Sequence, residues 1–313
     1  MISDTSQQAP NVQTTEWDGL TWVNIDRPSL AEMQYLQENY PFHELELEDC
    51  LSRVQLPKLD ESSEYIFLVL HFPIFDPKRR VTQPSQVAIF VGTDYVVTVH
   101  HGDLRPLVKL FEDCQMSEDV RSRVMSATSG HLLYRILSVL VDYMFPIMTK
   151  VISNVEDIEN RILDERAPSL ARELSIQRRD ITAFRRIIRP QIDVLEALEK
   201  RPLQFLRARL DVYFSDLADH TRRIWSELEE NKEVVESLQD SHQIITSNRT
   251  NEIMRILTMI ATIMLPLTVV TGIYGMNVRL PLGGNGVAFA AVLGVMGVIS
   301  VAMLAFFRSR RWL

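Results

Sequence analysis

Small, hydroxyl-bearing and apolar side chains recur about every 3.5 residues, the coiled-coil period, along the last third of the chain. We call this series the seam; it comprises Asp240, Ile244, Ser247, Asn251, Met254, Thr258, Ala261, Leu265, Thr268, Gly272 and Gly275. Hydroxyl and amide groups alternating with Met and Leu could line a narrow pore that has wet and dry bands. The same residue types also pack membrane helices closely. The seam therefore predicts an oligomer and leaves both uses open.

Two uncharged segments lie near the end of the chain. The first contains the last part of the seam, and the second follows it. Residues 256–276 and 280–307 contain no charged side chain, and Arg279 lies between them. Each segment reaches the length of about 20 apolar residues that a bilayer-spanning helix needs. Two helices cannot enclose water, so conduction would require a ring of subunits with one span of each lining the axis.

Charge predicts the orientation of these spans. Arg249 and Arg255 precede the first span, whereas Arg279 is the only charge between the spans. A basic tail follows the second span and consists of Arg308, Arg310 and Arg311. The positive-inside rule then places both termini in the cytosol. The first residues lack a basic region followed by an apolar core, so we expect no signal peptide and a multi-pass protein of the cytoplasmic membrane.

The composition of the soluble part excludes several functions. Residues 1–254 hold 28 Lys/Arg against 41 Asp/Glu, a net charge of −13, which favours cations and argues against nucleic acid as a partner. The sequence contains no GxxxxGK[ST] phosphate loop and no evident nucleophile–base arrangement, so we predict neither an ATP-driven pump nor an enzyme. Cys50 and Cys114 are isolated and predict reduced thiols rather than a disulfide or zinc site.

An α+β domain is expected over residues 16–128, after a disordered leader at 1–15. Segments 21–25, 64–75 and 86–101 are rich in β-branched and aromatic residues and predict strands, with a hairpin turn at Gly92-Thr93-Asp94. Residues 28–40 follow a helical pattern. Adjacent strand residues point to opposite faces, so His100 and His101 are interpreted as structural rather than as a metal site.

Long helices are predicted over residues 129–254. The pattern gives helices at 132–166 and 169–200, the second interrupted at Pro190. From Leu203 no Gly or Pro intervenes before Pro266, which predicts a single helix of roughly 95 Å. Such a helix would be a stalk that joins the cytosolic part to the first span.

The residues at the outer end of the first span carry a resemblance to a known family. Tyr274-Gly275-Met276-Asn277 resembles the Gly-Met-Asn signature of the CorA magnesium transporters, which follows the first of two C-terminal helices. The preceding segment 248–277 is similar to the family, as are HELELEDCLSRVQLPKL at 43–59, DLADHT at 216–221 and the RSRRWL tail.

The resemblance implies a funnel-shaped homopentamer. Its implied architecture is a mixed α/β/α sandwich, long stalk helices and a two-helix transmembrane hairpin. The expected segments are a first span at 255–277, an external loop at 278–286, a second span at 287–308 and a cytosolic tail at 309–313.

The resemblance also implies a selectivity filter and a pore. The filter would be Gly275, Met276 and Asn277, whose oxygens would accept hydrogen bonds from the waters that Mg²⁺ keeps. Pore-lining roles fall on Thr268, Leu265, Thr258, Met254, Asn251 and Asp240, all of them seam residues. Asp240 would gather cations at the cytosolic mouth. Uptake would be driven by the membrane potential, at about 4.6 kcal/mol per dication for 100 mV.

Regulation by cytosolic Mg²⁺ between subunits is a further implication. The matching acids are Glu48, Asp49 and Asp216, and a further family acid falls on Ser138, which has no carboxylate. Mg²⁺ would thus be both cargo and regulator, and no organic cofactor is expected. Without the resemblance, the acids of 44–49 would be interpreted as a solvated helix start.

Two alternatives remain. The outer segment VRLPLGGNG lacks the acidic residues that follow the signature in many relatives, which leaves Zn²⁺, Co²⁺ or Ni²⁺ as alternative cargo. The alternative from another class is a membrane-tethered cytosolic sensor or enzyme with the hairpin as its anchor.

Overall fold

The structure, a computed structural model, describes residues 10–52, 55–126, 128–162, 170–200, 210–276, 286–310 and 312. The chain divides into two units, Met1–Gln239 and Asp240–Leu313.

A six-stranded sheet forms the centre of the first unit. The strands are β1 Val12–Trp17, β2 Leu20–Asp26, β3 Lys58–Glu61, β4 Ile66–Asp76, β5 Val81–Val91 and β6 Tyr95–His100, in the order β1-β2-β6-β5-β4-β3. Only the β2–β6 pair among these is parallel. The predicted hairpin turn at Gly92-Thr93-Asp94 joins β5 to β6, and the Gly92 N–H donates to the Tyr95 carbonyl at 3.0 Å.

Helices cover both faces of this sheet because its central strands contain continuously apolar stretches, and successive side chains point to opposite faces. On β4, Phe67 and Val69 belong to one apolar core together with α1 Leu30–Asn39 and α2 Glu44–Leu51. Ile66 and Leu68 belong to the other core, which contains α3 Arg105–Met116, α4 Glu118–Met125 and the long helices. The predicted α/β/α sandwich is confirmed.

The long helices are α5 Ser129–Arg161, α6 Leu170–Lys200, α7 Asp211–Tyr274 and α8 Gly286–Ser309. The predicted interruption at Pro190 is wrong, since α6 continues through it. A proline removes one N–H from the ladder, and here the buried neighbours Ile187, Ile188 and Gln191 hold the helix in place. Residues of α7 up to Leu238 contribute to the core of the first unit.

The predicted leader is too long. Strand β1 begins at Val12, inside residues 1–15, and Val12 is opposite Ile25 of β2. The beginning of β1 is held by its pairing with β2. It is also held by a hydrogen bond of 2.8 Å from the Asn11 N–H to Oε1 of Glu32. Glu32 also forms a capping box with Ser29 at the start of α1.

Three helices among the described residues are long and apolar enough to cross a membrane: α5, α7 and the Phe289–Ser309 part of α8. In α5, 39% of the apolar window is buried within the protein, against 6% in α7 and 0% in α8. The apolar side chains of α5, including Leu133 and Leu137, are core residues of the first unit. We therefore assign spans to α7 and α8 only.

A buried polar network accounts for His100. Its Nδ1 accepts a hydrogen bond from the Gly102 N–H at 3.0 Å, so its Nε2 carries the proton and donates to the Asn24 carboxamide at 3.0 Å. Thr98 donates to the same oxygen at 2.8 Å. The imidazole is thus a satisfied structural group, as its position on the strand predicted.

Acid is expected to destabilise the first unit through two of its histidines. Burial lowers the pKa of His100 and of His71, so the folded protein binds fewer protons than the unfolded chain. The free energy of unfolding should then fall as the pH drops below about 6.5, by at most about 1.4 kcal/mol per pH unit per histidine. Thermal unfolding between pH 7.5 and pH 5 measures this fall. His100→Gln should make the fall shallower by the share of His100, and an unchanged slope in that variant would contradict the assignment.

Candidate functional site

The seam lies on α7 and is exposed along its whole length. All eleven seam residues are solvent-exposed in the single chain, with Met254 at 55% and Leu265 at 68% relative exposure. Asp240 opens the second unit and Gly275 follows the last helical residue. Exposed apolar side chains at this density require either lipid or other protein copies to cover them.

In the described parts of the two apolar spans, the side chains of α7 and α8 that are at least partly covered form one stripe on each helix. On α7 the stripe consists of Met259, Thr262, Ile263, Pro266, Leu267 and Val270. On α8 it consists of Val292, Met296, Ile299, Ser300, Met303 and Phe307. Both stripes have helical spacing, and we interpret them as the faces that the two spans present to each other. At about 100° per residue, the centre of the α7 stripe lies roughly 150° around the helix from the seam.

Threonine hydroxyls on the seam donate to the backbone of their own helix. Thr258 Oγ1 donates to the Met254 carbonyl at 2.7 Å, and Thr268 Oγ1 donates to the Met264 carbonyl at 2.8 Å. A hydroxyl has one donor and two acceptor lone pairs. With the donor used, each threonine retains only acceptor capacity towards a molecule at the seam.

The helix carrying the seam ends at the predicted filter. Helix α7 stops at Tyr274, the Gly275 N–H donates to the Thr271 carbonyl at 2.8 Å, and Met276 is 59% exposed. A Cβ on Gly275 would lie 3.0 Å from the Thr271 carbonyl oxygen, so a side chain there would crowd the helix end. Asn277, the remaining filter residue, and the loop 278–285 lie outside the described residues.

The predicted ion-sensing acids of α2 differ in their surroundings. Glu48 is exposed, whereas Asp49 binds Lys58, with 2.7 Å between Oδ2 and Nζ. Lys58 also binds Asp60 at 2.6 Å. Burial opposes protonation of Lys58, but its hydrogen bonds to Asp49 and Asp60 raise its pKa overall. An incoming dication would therefore compete with a lysine for Asp49.

The third predicted acid lies on α7. The side chain of Asp216 is 56% exposed, and its Oδ1 is 3.8 Å from Nε2 of His220. No group of three or more His, Cys, Asp or Glu side chains among the described residues could hold a metal ion, so one chain does not assemble Glu48, Asp49 and Asp216 into a site. Ser138 lies half-buried on α5.

The basic tail folds back on the end of α8. The Arg310 guanidinium lies 5.8 Å from the Phe306 ring centroid, and Trp312 stacks on Phe307 at 5.7 Å. Arg308 occupies the last turn of α8, and Arg311 lies outside the described residues. Aromatic rings beside arginines are typical of the membrane–water boundary.

Sequence reasoning did not identify Lys58 as the partner of Asp49. Residues 43–59 resembled the family, and this segment includes Lys58, but charge alone does not indicate which of its acids the lysine meets. That pairing depends on β3 placing Lys58 at the sheet edge, opposite Val69 of β4.

The chain is similar to known proteins along nearly its whole length. The family model described as CorA-like Mg²⁺ transporter protein matches residues 17–311. The chain is 32% identical to the putative metal ion transporter YfjQ of Bacillus subtilis, over 93% of this chain and 89% of that protein. It is 30% identical to the cobalt/magnesium transport protein CorA of Thermotoga maritima, over 94% of this chain and 83% of that protein. The solved structure of the CorA magnesium transporter of Methanocaldococcus jannaschii superposes with a TM-score of 0.81 at 23% identity, covering 96% and 94% of the two chains.

Proposed function

Since this chain belongs to the CorA-like Mg²⁺ transporter family, whose members are divalent-cation transporters and not enzymes, we propose that it is a potential-driven Mg²⁺ channel. The resemblance implies five subunits around an axis, with both termini in the cytosol. In this arrangement the α7 seam of each subunit faces the axis, and α8 faces lipid.

One observation supports this arrangement above the others. All residues of the seam are exposed in the single chain, and the covered stripe lies on the other side of α7. A helix that only anchored a cytosolic domain would have no reason to keep hydroxyl and carboxamide groups on the face away from its partner helix. A shared axis gives those groups water and ions as partners.

The chemistry of the seam suits a hydrated dication. Mg²⁺ dehydrates reluctantly, and the waters around it present hydrogens outward. Thr258 and Thr268 offer those hydrogens acceptor oxygens because their own hydrogens are bound to the helix backbone. Leu265 would form a dry band between them and Met254 a second one on the cytosolic side of Thr258, and such constrictions can close a pore by dewetting. Asp240 would concentrate cations at the cytosolic end.

The filter of this proposal is formed by Gly275, Met276 and Asn277. The end of α7 at Tyr274 frees the following carbonyls from the helix ladder, and the close approach of Gly275 to Thr271 favours a residue without a side chain at that position. A ring of Asn277 carboxamides would bind the water shell without stripping the ion. Neutral oxygens hold a dication weakly enough to release it, as conduction requires.

Intersubunit Mg²⁺ would regulate this pore through Glu48, Asp49 and Asp216. Exposed acids on two subunits repel each other when the site is empty, and a dication that bridges them stabilises the docked, closed arrangement. Because Lys58 already neutralises Asp49, Glu48 and Asp216 would supply most of the unpaired charge. With Ser138 at the position of a further family acid, the second regulatory site would be weak or empty.

Replacing Asp216 should weaken the response to cytosolic Mg²⁺. In Asp216→Asn, the Mg²⁺ concentration that protects the purified oligomer from limited proteolysis is expected to rise about tenfold, which corresponds to about 1.4 kcal/mol. Asp219→Asn is the matched control, since Asp219 lies on the same helix, is 63% exposed and pairs with Arg222. Equal protection midpoints in both variants would contradict the regulatory role of Asp216.

Reconstitution tests the proposed cargo. Proteoliposomes loaded with a metal-sensitive dye and held inside-negative should take up Mg²⁺ faster than protein-free vesicles, with Co²⁺, Ni²⁺ and Zn²⁺ measured in parallel. If Zn²⁺ entered and Mg²⁺ did not, the cargo would be Zn²⁺ and the proposed Mg²⁺ transport would be wrong. Native mass spectrometry of the same preparation should give five copies per particle.

A further inference from the structure

Three arginines of α6 share one concave surface. The arginine pocket, as we name it, has a volume of about 470 Å³ and is lined by Arg178, Arg179, Arg186, Ser175, Thr182 and Gln239. The pocket belongs entirely to the first unit and shares no residue with the seam or the predicted sensing acids.

The arginine pocket is basic although the domain around it is acidic. Residues 1–254 have a net charge of −13. A second basic segment adjoins the pocket, because Nη2 of Arg179 donates to the Arg79 carbonyl at 2.8 Å in the β4–β5 turn, where Lys78 and Arg80 flank Arg79 and are exposed. A local concentration of cations against this background points to an anionic ligand.

The acids close to the arginine pocket neutralise only part of it. Glu236 pairs with Arg178 at 3.2 Å, and Asp76 interacts with Arg79 at 3.8 Å. Asp180 is 2% exposed, and its Oδ1 accepts a hydrogen bond from the Thr82 N–H of β5. Among the described residues, Arg186 forms no ion pair.

The number of arginines favours a ligand that carries several negative charges. Arg179 and Arg186 are seven residues apart on one helix face, or about 10.5 Å along the axis at 1.5 Å per residue. Because arginine side chains are long, both guanidinium groups can turn towards one ligand. Guanidinium groups bind phosphate oxygens in pairs, so several arginines on one surface favour a ligand with more than one phosphate.

We propose that the arginine pocket binds a polyphosphate anion, of the class of nucleoside triphosphates or diphosphate lipid headgroups, with Arg179 and Arg186 as its main contacts. The hydroxyls of Ser175 and Thr182 already donate to backbone carbonyls and would not oppose an anion as strongly as a carboxylate would. Arg178 would exchange its contact with Glu236 for the ligand. Binding at this place would link a second cytosolic signal to the same subunit.

Calorimetric titration of the full-length protein tests this site. Inorganic triphosphate is titrated into the metal-free oligomer in nanodiscs of zwitterionic lipid, and Arg179→Gln, Arg186→Gln and the double variant are compared with wild type. Each single variant should weaken binding about tenfold and the double variant about 100-fold, the loss expected for charge-assisted bidentate contacts. Arg189→Gln is the control, because Arg189 lies on the same helix, pairs with Asp193 at 3.2 Å and does not line the pocket.

Competition distinguishes the sources of the phosphates. Displacement of triphosphate by ATP would identify a soluble nucleotide as the ligand. Weaker triphosphate binding in nanodiscs that contain cardiolipin would identify a lipid headgroup as the ligand. Either result supports the site if the effect is lost in the double variant. The proposal would be overturned if inorganic phosphate bound as tightly as inorganic triphosphate. It would also fail if Arg189→Gln lost as much affinity as Arg186→Gln, or if wild type bound no triphosphate. Mg²⁺ flux does not enter this readout, so the result is independent of the proposed channel.

Discussion

Mg²⁺ uptake by Asn277→Ala is expected to fall at least about 100-fold, since a ring of carboxamides would lose several hydrogen bonds of about 1 kcal/mol each to the hydrated ion. The alanine ring offers no acceptor to the waters that Mg²⁺ retains, so the ion would face an apolar opening with its shell unsupported. Influx into dye-loaded proteoliposomes under a fixed inside-negative potential measures this loss.

Asn285→Ala is the control for that loss. Asn285 also lies between the two spans, but outside the Gly-Met-Asn segment. It should transport at the wild-type rate, and both variants should elute as intact oligomers. Wild-type influx through Asn277→Ala would exclude the carboxamide ring as the filter.

Modification of a cysteine at the seam should stop uptake. In Leu265→Cys, a positively charged methanethiosulfonate reagent is expected to reduce Mg²⁺ influx to about a tenth or less, because it fixes a cation in the path of a dication where the dielectric is low. Leu265 is 68% exposed on the seam. The reagent is membrane-impermeant and can reach the middle of the span only through water. Loss of Mg²⁺ influx after treatment would therefore show that water reaches this residue.

The chain offers a matched control two residues away. Leu267 belongs to the covered stripe of α7, and Leu267→Cys should keep its influx after the same treatment. Wild type should also be insensitive, since Cys50 and Cys114 are buried and burial raises the pKa of both thiols, that of Cys114 to about 11. If the reagent stopped Mg²⁺ influx in Leu267→Cys, or left it unchanged in Leu265→Cys, the water path would not follow the seam.

Periodicity identified the seam on α7 but not its use. The seam was traced through Met254, Thr258 and Leu265 by spacing alone, and these residues are exposed in the structure. Spacing could not separate a pore from helix packing, because small and hydroxyl residues serve both. The covered stripe indicates which face of α7 packs within one chain, and the pore-lining role of the opposite seam remains our proposal.

Local patterns also failed where tertiary contacts decide the structure. Residues 12–15 read as polar leader, yet pairing with β2 makes them a strand. Pro190 is a strong local breaker, but the buried residues on both sides of it keep α6 continuous. The ion pair between Asp49 and Lys58 required the position of β3, which the sequence pattern did not indicate.

The membrane-potential dependence of Mg²⁺ influx through the wild-type oligomer tests the central claim most directly. Each 100 mV of inside-negative potential adds about 4.6 kcal/mol to the driving force on a dication. A channel along the seam should give influx that rises steadily with imposed negative potential and vanishes when an ionophore dissipates it. Intact, reconstituted oligomers that pass no Mg²⁺ at any potential, or pass it at a rate independent of potential, would contradict the account.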